Sequence, residues 1–178
     1  MQFASPDALE RARRVKLMLF DVDGVLTDGK LLFSPSGEEL KSFHSFDGLG
    51  LQLLARSGVR TALLTGRTSP AVSIRAAQLG IEHVLQGVAD KRARYYGFIE
   101  SLGVPAAETG FMGDDLVDVP VLARCGFACT VHEAPEEVRK RVHYVAATPA
   151  GAGAAREVCE YVMRAQGTFA RMLEGYLR

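Results

Sequence analysis

Apolar positions along the chain fall into short runs that alternate with amphipathic stretches. Val15-Lys16-Leu17-Met18-Leu19-Phe20 reads as a buried strand ending at Asp21. Residues 7–14 before it suit a short polar helix. After it, Lys30–Phe33 and Glu39–Phe43 flank Ser34-Pro35-Ser36-Gly37, which has turn chemistry at each position, so a hairpin is predicted. Asp47 can cap a helix to about Ser57, with Leu49, Leu53 and Leu54 on one face and Gly58 behind it.

Strands and helices then take turns. Strand Val59–Thr65 precedes helix Ser69–Leu79, and strand His83–Gln86 precedes helix Asp90–Leu102. Strand Gly110–Gly113 precedes helix Val117–Arg124. Strands Phe127–Val131 and Tyr144–Val145 surround helix Pro135–Arg141. A last helix, Ala154–Ala165, leads into Gly167 and an amphipathic tail over about 167–178. Alternation at this spacing predicts an α/β fold: a Rossmann-like, doubly wound, mostly parallel sheet with helices on both faces. The hairpin, about residues 30–44, adds a small flap. No repeat, low-complexity stretch or linker divides the chain, so residues 1–178 read as a single domain.

Composition narrows the function classes. Lys plus Arg total 21 and Asp plus Glu total 21, so no net charge points to nucleic acid or to a membrane surface. The longest apolar runs are far shorter than the ~20 residues of a membrane span. Residues 1–14 carry Glu10 and no apolar run, unlike a signal peptide. Cys125, Cys129 and Cys159 are odd in number and lack Cys-x-x-Cys spacing, which argues against a disulfide framework or a structural zinc. A cytoplasmic location is the expectation. His44, His83, His132 and His143 are scattered, and read as structural or surface residues.

The chemistry collects at predicted strand ends, where such sheets bind ligands. Asp21 and Asp23 follow the first core strand, and Thr65-Gly66-Arg67 follows the next. Asp114 and Asp115 follow Gly110–Gly113, and Lys91 opens a helix. Converging carboxylates repel one another unless a cation lies between them, and oxygen ligation with room for water suits Mg²⁺. Lys91, Thr65 and the N–H groups near Gly66 can hold a phosphate. One carboxylate can attack phosphorus, and a second can move protons.

These stretches resemble the haloacid dehalogenase superfamily of phosphohydrolases. Asp21-Val-Asp23-Gly-Val, Leu-Leu-Thr65-Gly-Arg, Lys91 and Gly113-Asp114-Asp115-Leu-Val-Asp118 match its motifs in order. The resemblance implies that Asp21 is nucleophile and Mg²⁺ ligand. It implies that Asp23 is the general acid/base and a ligand through its carbonyl, and that Asp114 is a further ligand. Thr65 and Lys91 would hold the phosphoryl group. Asp115 and Asp118 would support the site without touching the metal.

The spacings exclude a cap domain. The 41 residues between Asp23 and Thr65, and the 23 between Arg67 and Lys91, are consumed by the hairpin, two helices and one strand. A capless member leaves its site open to water, and the resemblance implies a homotetramer in which a neighbouring subunit closes it. The chain is most similar to capless members that act on phosphorylated sugar acids. By that resemblance Asp47, Gly48, Gly66, Arg67 and Arg75 are substrate contacts, with Asp23 and Lys91. The tail after Arg156 would reach toward a neighbouring site. Phe46 and Leu51-Gln52 stand in neighbourhoods where the family often has arginines, and Pro149-Ala-Gly-Ala-Gly153 lacks one too. An eight-carbon sugar acid 8-phosphate of lipopolysaccharide biosynthesis and a nine-carbon 9-phosphate both remain open as substrates.

Two other classes compete. A phospho-accepting receiver module also joins acidic residues, Thr, Lys and Mg²⁺. However, its first-strand acids are adjacent, whereas Val22 separates Asp21 from Asp23 here. An inactive scaffold would have no need of all four motifs. No Gly-x-x-x-x-Gly-Lys-Ser/Thr supports a phosphate loop.

Overall fold

The computed structural model describes residues 3–177. Its strands are β1 (Phe3–Ala4), β2 (Leu17–Phe20), β3 (Leu32–Phe33), β4 (Glu39–Leu40), β5 (Arg60–Leu64), β6 (His83–Leu85), β7 (Thr109–Met112), β8 (Phe127–Val131) and β9 (Tyr144–Ala146). Its helices are α1 (Ala8–Arg13), α2 (Ser45–Arg56), α3 (Pro70–Leu79), α4 (Lys91–Ser101), α5 (Val119–Leu122), α6 (Glu136–Arg139), α7 (Ala154–Ala165) and α8 (Phe169–Glu174).

Seven strands form one sheet in the order β1-β9-β8-β7-β2-β5-β6, parallel except for β1. β2 lies between β5 and β7, with Leu19 beside both Ala62 and Phe111. Every residue of β2 is buried, as a strand covered on both faces requires, so its sequence reads as an unbroken apolar run. From β2 the chain builds outward through β5 and β6, then crosses back to β7, β8 and β9. Right-handed crossovers in opposite directions place helices on opposite faces. α2 packs on α7 and α3, and α4 packs on α5. The reversal of strand order beside β2 opens a crevice at the carboxyl ends of the strands.

The hairpin forms a separate two-stranded sheet, with Leu32 opposite Leu40 and Phe33 opposite Glu39. It is shorter than the sequence suggests because only these residues pair. Its turn closes with Gly37 N–H on Ser34 O at 2.9 Å, and Gly37 takes the positive φ of 83° that the turn needs. β1, a two-residue edge strand, carries too little periodicity to be read from sequence. The region read as helix 117–124 is instead a 3₁₀ turn, Leu116–Asp118, followed by α5. Helix α2 starts at Ser45 and not at Asp47, because His44 caps it, its Nδ1 accepting from Phe46 N–H at 3.1 Å. The three cysteines are free and buried, in apolar packing. Among the described residues no helix is long and apolar enough to cross a membrane.

Candidate active site

Three loops at the carboxyl ends of β2, β5 and β7 meet the start of α4 around an open cavity of about 320 Å³. Asp21, Asp23, Thr65, Gly66, Arg67, Lys91, Asp114 and Asp115 all line it.

Asp21 is fixed on both sides. Its N–H donates to Met112 O of β7 at 2.9 Å, continuing the sheet. One carboxylate oxygen accepts the Val22 N–H at 2.7 Å and the other meets Lys91 Nζ at 2.8 Å. After Asp21 the chain makes a tight turn in which Leu26 and Thr27 N–H groups reach Val22 O at 2.9 and 3.0 Å. Thr27 Oγ1 accepts from Gly24 and Gly29 N–H at 3.4 and 3.2 Å, which holds the turn closed. Gly24 has φ 82°, and a Cβ there would strike the Asp114 carboxylate, so only glycine lets the two loops touch.

Lys91 opens α4 behind its cap Asp90, whose side chain accepts from Ala93 N–H at 3.0 Å. The ammonium is buried between Asp21 and Asp118, the latter at 2.6 Å. Asp118 is fully buried, and its second oxygen accepts the N–H groups of Asp114 and Asp115 at 3.0 and 3.2 Å. It therefore shapes the loop that carries Asp114 and steadies Lys91. A Cβ on Gly113 would collide with it. Thr65 is buried; its N–H donates to Leu85 O at 2.9 Å and its hydroxyl accepts from Arg67 N–H at 3.4 Å.

The electrostatics describe a site short of positive charge. Burial, and then the nearby Asp118 charge, push Asp21 up to about 6 against the pull of Lys91. Burial, then Asp118, Asp21 and Asp115, push Asp114 up to about 7. Lys91 is raised: burial opposes its charge, but Asp21 and Asp118 outweigh that. Carboxylate oxygens of Asp21, Asp114 and Asp118 lie within 4.8 Å of one another. Such a set fits a hard divalent cation held by oxygens, as Mg²⁺ is. Asp118 is fully buried and does not line the cavity, whereas Asp21 and Asp114 do, which leaves those two as the side-chain ligands open to an ion. The Asp23 carboxylate lies outside that cluster, with Oδ1 on Lys41.

The haloacid dehalogenase-like hydrolase family model matches residues 72–158. The 3-deoxy-D-manno-octulosonate 8-phosphate phosphatase of Haemophilus influenzae is 40% identical over 158 residues, covering 89% of this chain and 88% of that protein. The chain belongs to the haloacid dehalogenase-like hydrolases. Among solved structures, a probable phosphatase from Pseudomonas syringae aligns with TM-score 0.95 and 41% identity, covering 98% of this chain and 99% of that one. The 3-deoxy-D-manno-octulosonate 8-phosphate phosphatase of Moraxella catarrhalis, solved with magnesium, phosphate and the sugar acid, aligns with TM-score 0.94 and 38% identity over 96% of this chain and 98% of that one.

Not every expected contact of this hydrolase reaches the cavity. Asp47 does not line it. Its carboxylate accepts Gly153 N–H at 3.1 Å and Arg156 N–H at 2.9 Å, capping the start of α7 from a neighbouring helix. Burial raises its pKa, although those N–H groups pull the other way. Gly48 is buried where a Cβ would collide with the Arg75 guanidinium, and Arg75 itself bonds Gln78 at 3.3 Å. Within one subunit, these three residues serve helix packing.

Two residues absent from the sequence reading do reach the site. Lys41, just beyond β4, pairs with Asp23 and with Glu39, the latter at 2.9 Å, and Glu39 also pairs with Arg67. The signal was available: Glu39 and Lys41 are two apart on a predicted strand, hence on one face. Their partners, far off in sequence, were not.

Proposed function

We propose that the chain is a Mg²⁺-dependent phosphatase that converts 3-deoxy-D-manno-octulosonate 8-phosphate to the free sugar acid and phosphate. The observation that carries this reading is Asp21: it sits at the end of the central strand, held by Lys91 and facing a cavity with Asp23, Thr65 and Asp114. The relatives at 40% and 38% identity, both phosphatases of this sugar phosphate, support the substrate.

The chemistry follows in two halves. The phosphoryl group lies between Lys91, the Thr65 hydroxyl and the Gly66 backbone, with Arg67 at the rim. An Asp21 carboxylate oxygen attacks phosphorus, and the bond from phosphorus to the sugar oxygen breaks. Asp23 gives its proton to that leaving oxygen. Water then attacks the phosphorus of the aspartyl-phosphate, passes a proton to Asp23, and Asp21 departs as carboxylate. Bound through Asp21, Asp114 and the Asp23 carbonyl, Mg²⁺ would neutralise the charge of the phosphoryl oxygens. Asp115 and Asp118 hold the Asp114 loop.

Assembly belongs to the same reading. Leu31, Leu32, Phe33 and Leu40 of the hairpin are each about half exposed, at 47–59%. Such an apolar edge beside a capless site suits a homotetramer in which a neighbour covers the cavity. In that assembly Arg75 and the tail contribute to a neighbour's substrate contacts, and the enzyme works in the cytoplasm. Phosphate release from a panel of sugar acid phosphates, with and without Mg²⁺, tests the activity. Turnover of the eight-carbon 8-phosphate is expected; preference for a nine-carbon 9-phosphate would redirect the substrate alone. No Mg²⁺-dependent turnover of any of them would overturn the reading.

A further inference from the structure

We propose that Lys41 is a positioning residue for proton transfer: it fixes Oδ1 of Asp23, so that Oδ2 is the oxygen that exchanges the proton with the leaving group. The inference rests on the phosphatase reading and deepens it.

Lys41 lies on the hairpin, outside the sheet that carries the other site residues, yet its side chain is only 2% exposed. Its ammonium reaches 18 residues back along the chain to Asp23 Oδ1. It also meets Glu39 Oε1 at 2.9 Å. Glu39 in turn engages Arg67 through its other oxygen. The hairpin is thereby tied to the loop after β2 through Lys41 and to the loop after β5 through Glu39. Lys41 has a compact ammonium on a long stem, which lets it reach under the hairpin from an exposed strand.

The two oxygens of Asp23 are not equivalent. Oδ1 carries the Lys41 contact, whereas Oδ2 is buried with no hydrogen-bond partner, in a residue that lines the cavity. A carboxylate has a roughly two-fold torsion at its end, so a free Asp23 can exchange the two atoms by rotation. An ion pair on one atom removes that freedom. Buried polar atoms are ordinarily satisfied, and the missing partner of Oδ2 is supplied here by the reacting oxygen. A hairpin-stabilising lysine could satisfy itself on Glu39 alone.

The test uses leaving groups of different need. Departure of a sugar alkoxide requires a proton, whereas p-nitrophenolate leaves without one. Because kcat/KM reports steps only through formation of the phospho-enzyme, it isolates this proton transfer from the later water attack. For Lys41→Met, kcat/KM for 3-deoxy-D-manno-octulosonate 8-phosphate is expected to fall about 10²-fold, and for p-nitrophenyl phosphate by less than about threefold. Lys41→Arg, which keeps a cation at the hairpin, is expected to recover part of the sugar-phosphate loss and is read in the same way if Lys41→Met does not fold. Equal losses with both substrates, or no loss with either, would overturn the proposal and leave the phosphatase standing. A wild-type enzyme inactive toward both substrates would instead overturn the phosphatase reading.

Discussion

At the ends of β2 and β7, one lysine lies between two aspartates with every charge fixed: Lys91 between Asp21 and Asp118, and Asp118 on two backbone N–H groups. On the hairpin another lysine lies between two acids, Lys41 between Asp23 and Glu39. There the frame is two paired strands of two residues each, with apolar side chains facing out. The first arrangement is organised by the sheet and is complete in one chain. The second is a light arm that borrows its position from ion pairs and leaves surface to be covered. The groups placed for phosphoryl chemistry therefore belong to the core, while the proposed covering of the cavity and positioning of Asp23 belong to the arm.

The largest expected effect breaks the core side of that contrast. Asp21→Asn should lower phosphate release by on the order of 10⁴-fold or more, since an amide cannot attack phosphorus. Circular dichroism should show the fold retained; activity within tenfold of wild type would remove Asp21 from the mechanism. Asp118→Ala leaves the buried Lys91 with Asp21 alone and two N–H groups unpaired, and should cost about 1–3 kcal/mol of stability in urea unfolding. A cost under about 1 kcal/mol would show that the core network is no more rigid than the arm.

Cation loading sharpens the contrast from another side. Mg²⁺ at about one hundred times its dissociation constant should stabilise the wild type by roughly 2.7 kcal/mol in thermal unfolding. EDTA should abolish turnover, and Asp114→Asn should erase the Mg²⁺-dependent stabilisation. Equal shifts in wild type and Asp114→Asn would place the cation elsewhere.

Glu157 provides a reference outside both regions. Burial raises its pKa, but bonds from the Thr148 hydroxyl, the Ala147 and Thr148 N–H groups and Tyr144 together bring it below its ordinary 4.5. A depressed acid stabilises the fold above its unfolded pKa and loses that contribution as pH falls through the folded one. Glu157→Gln should thus cost about 1.5 kcal/mol at pH 7. The difference should shrink as pH falls below 4.5. A pH-independent difference would mean that packing and not charge is at stake. The smallest stability effect belongs to the arm: Phe33→Glu should change subunit stability by no more than about 0.5 kcal/mol. In the proposed tetramer it should nevertheless lower the mass found by light scattering. An unchanged mass would remove the hairpin from the interface.

Much of the core was legible in the sequence because its signals are local. Strand Phe127–Val131 and helix Ala154–Ala165 have the bounds that their patterns predict. Asp21, Asp23, Thr65, Lys91 and Asp114 announced themselves by falling at strand ends and at a helix start, and the structure brings them to one cavity. What stayed hidden depends on distant partners. Asp47 looked like a helix cap or a ligand contact, yet its carboxylate serves a helix that begins more than a hundred residues later, with Gly153 separated from it by 106 positions. Lys41 looked like an ordinary strand lysine until the hairpin folded over Asp23.

The account turns on a covalent step at Asp21, and one measurement addresses it directly. Asp23→Asn, which slows water attack on the phospho-enzyme, is mixed with Mg²⁺ and p-nitrophenyl phosphate, whose leaving group needs no proton, then quenched in acid and digested for mass spectrometry. The account predicts one phosphoryl group on the peptide that contains Asp21. Phosphate release in the quenched samples with no phosphoryl group on that peptide would contradict it.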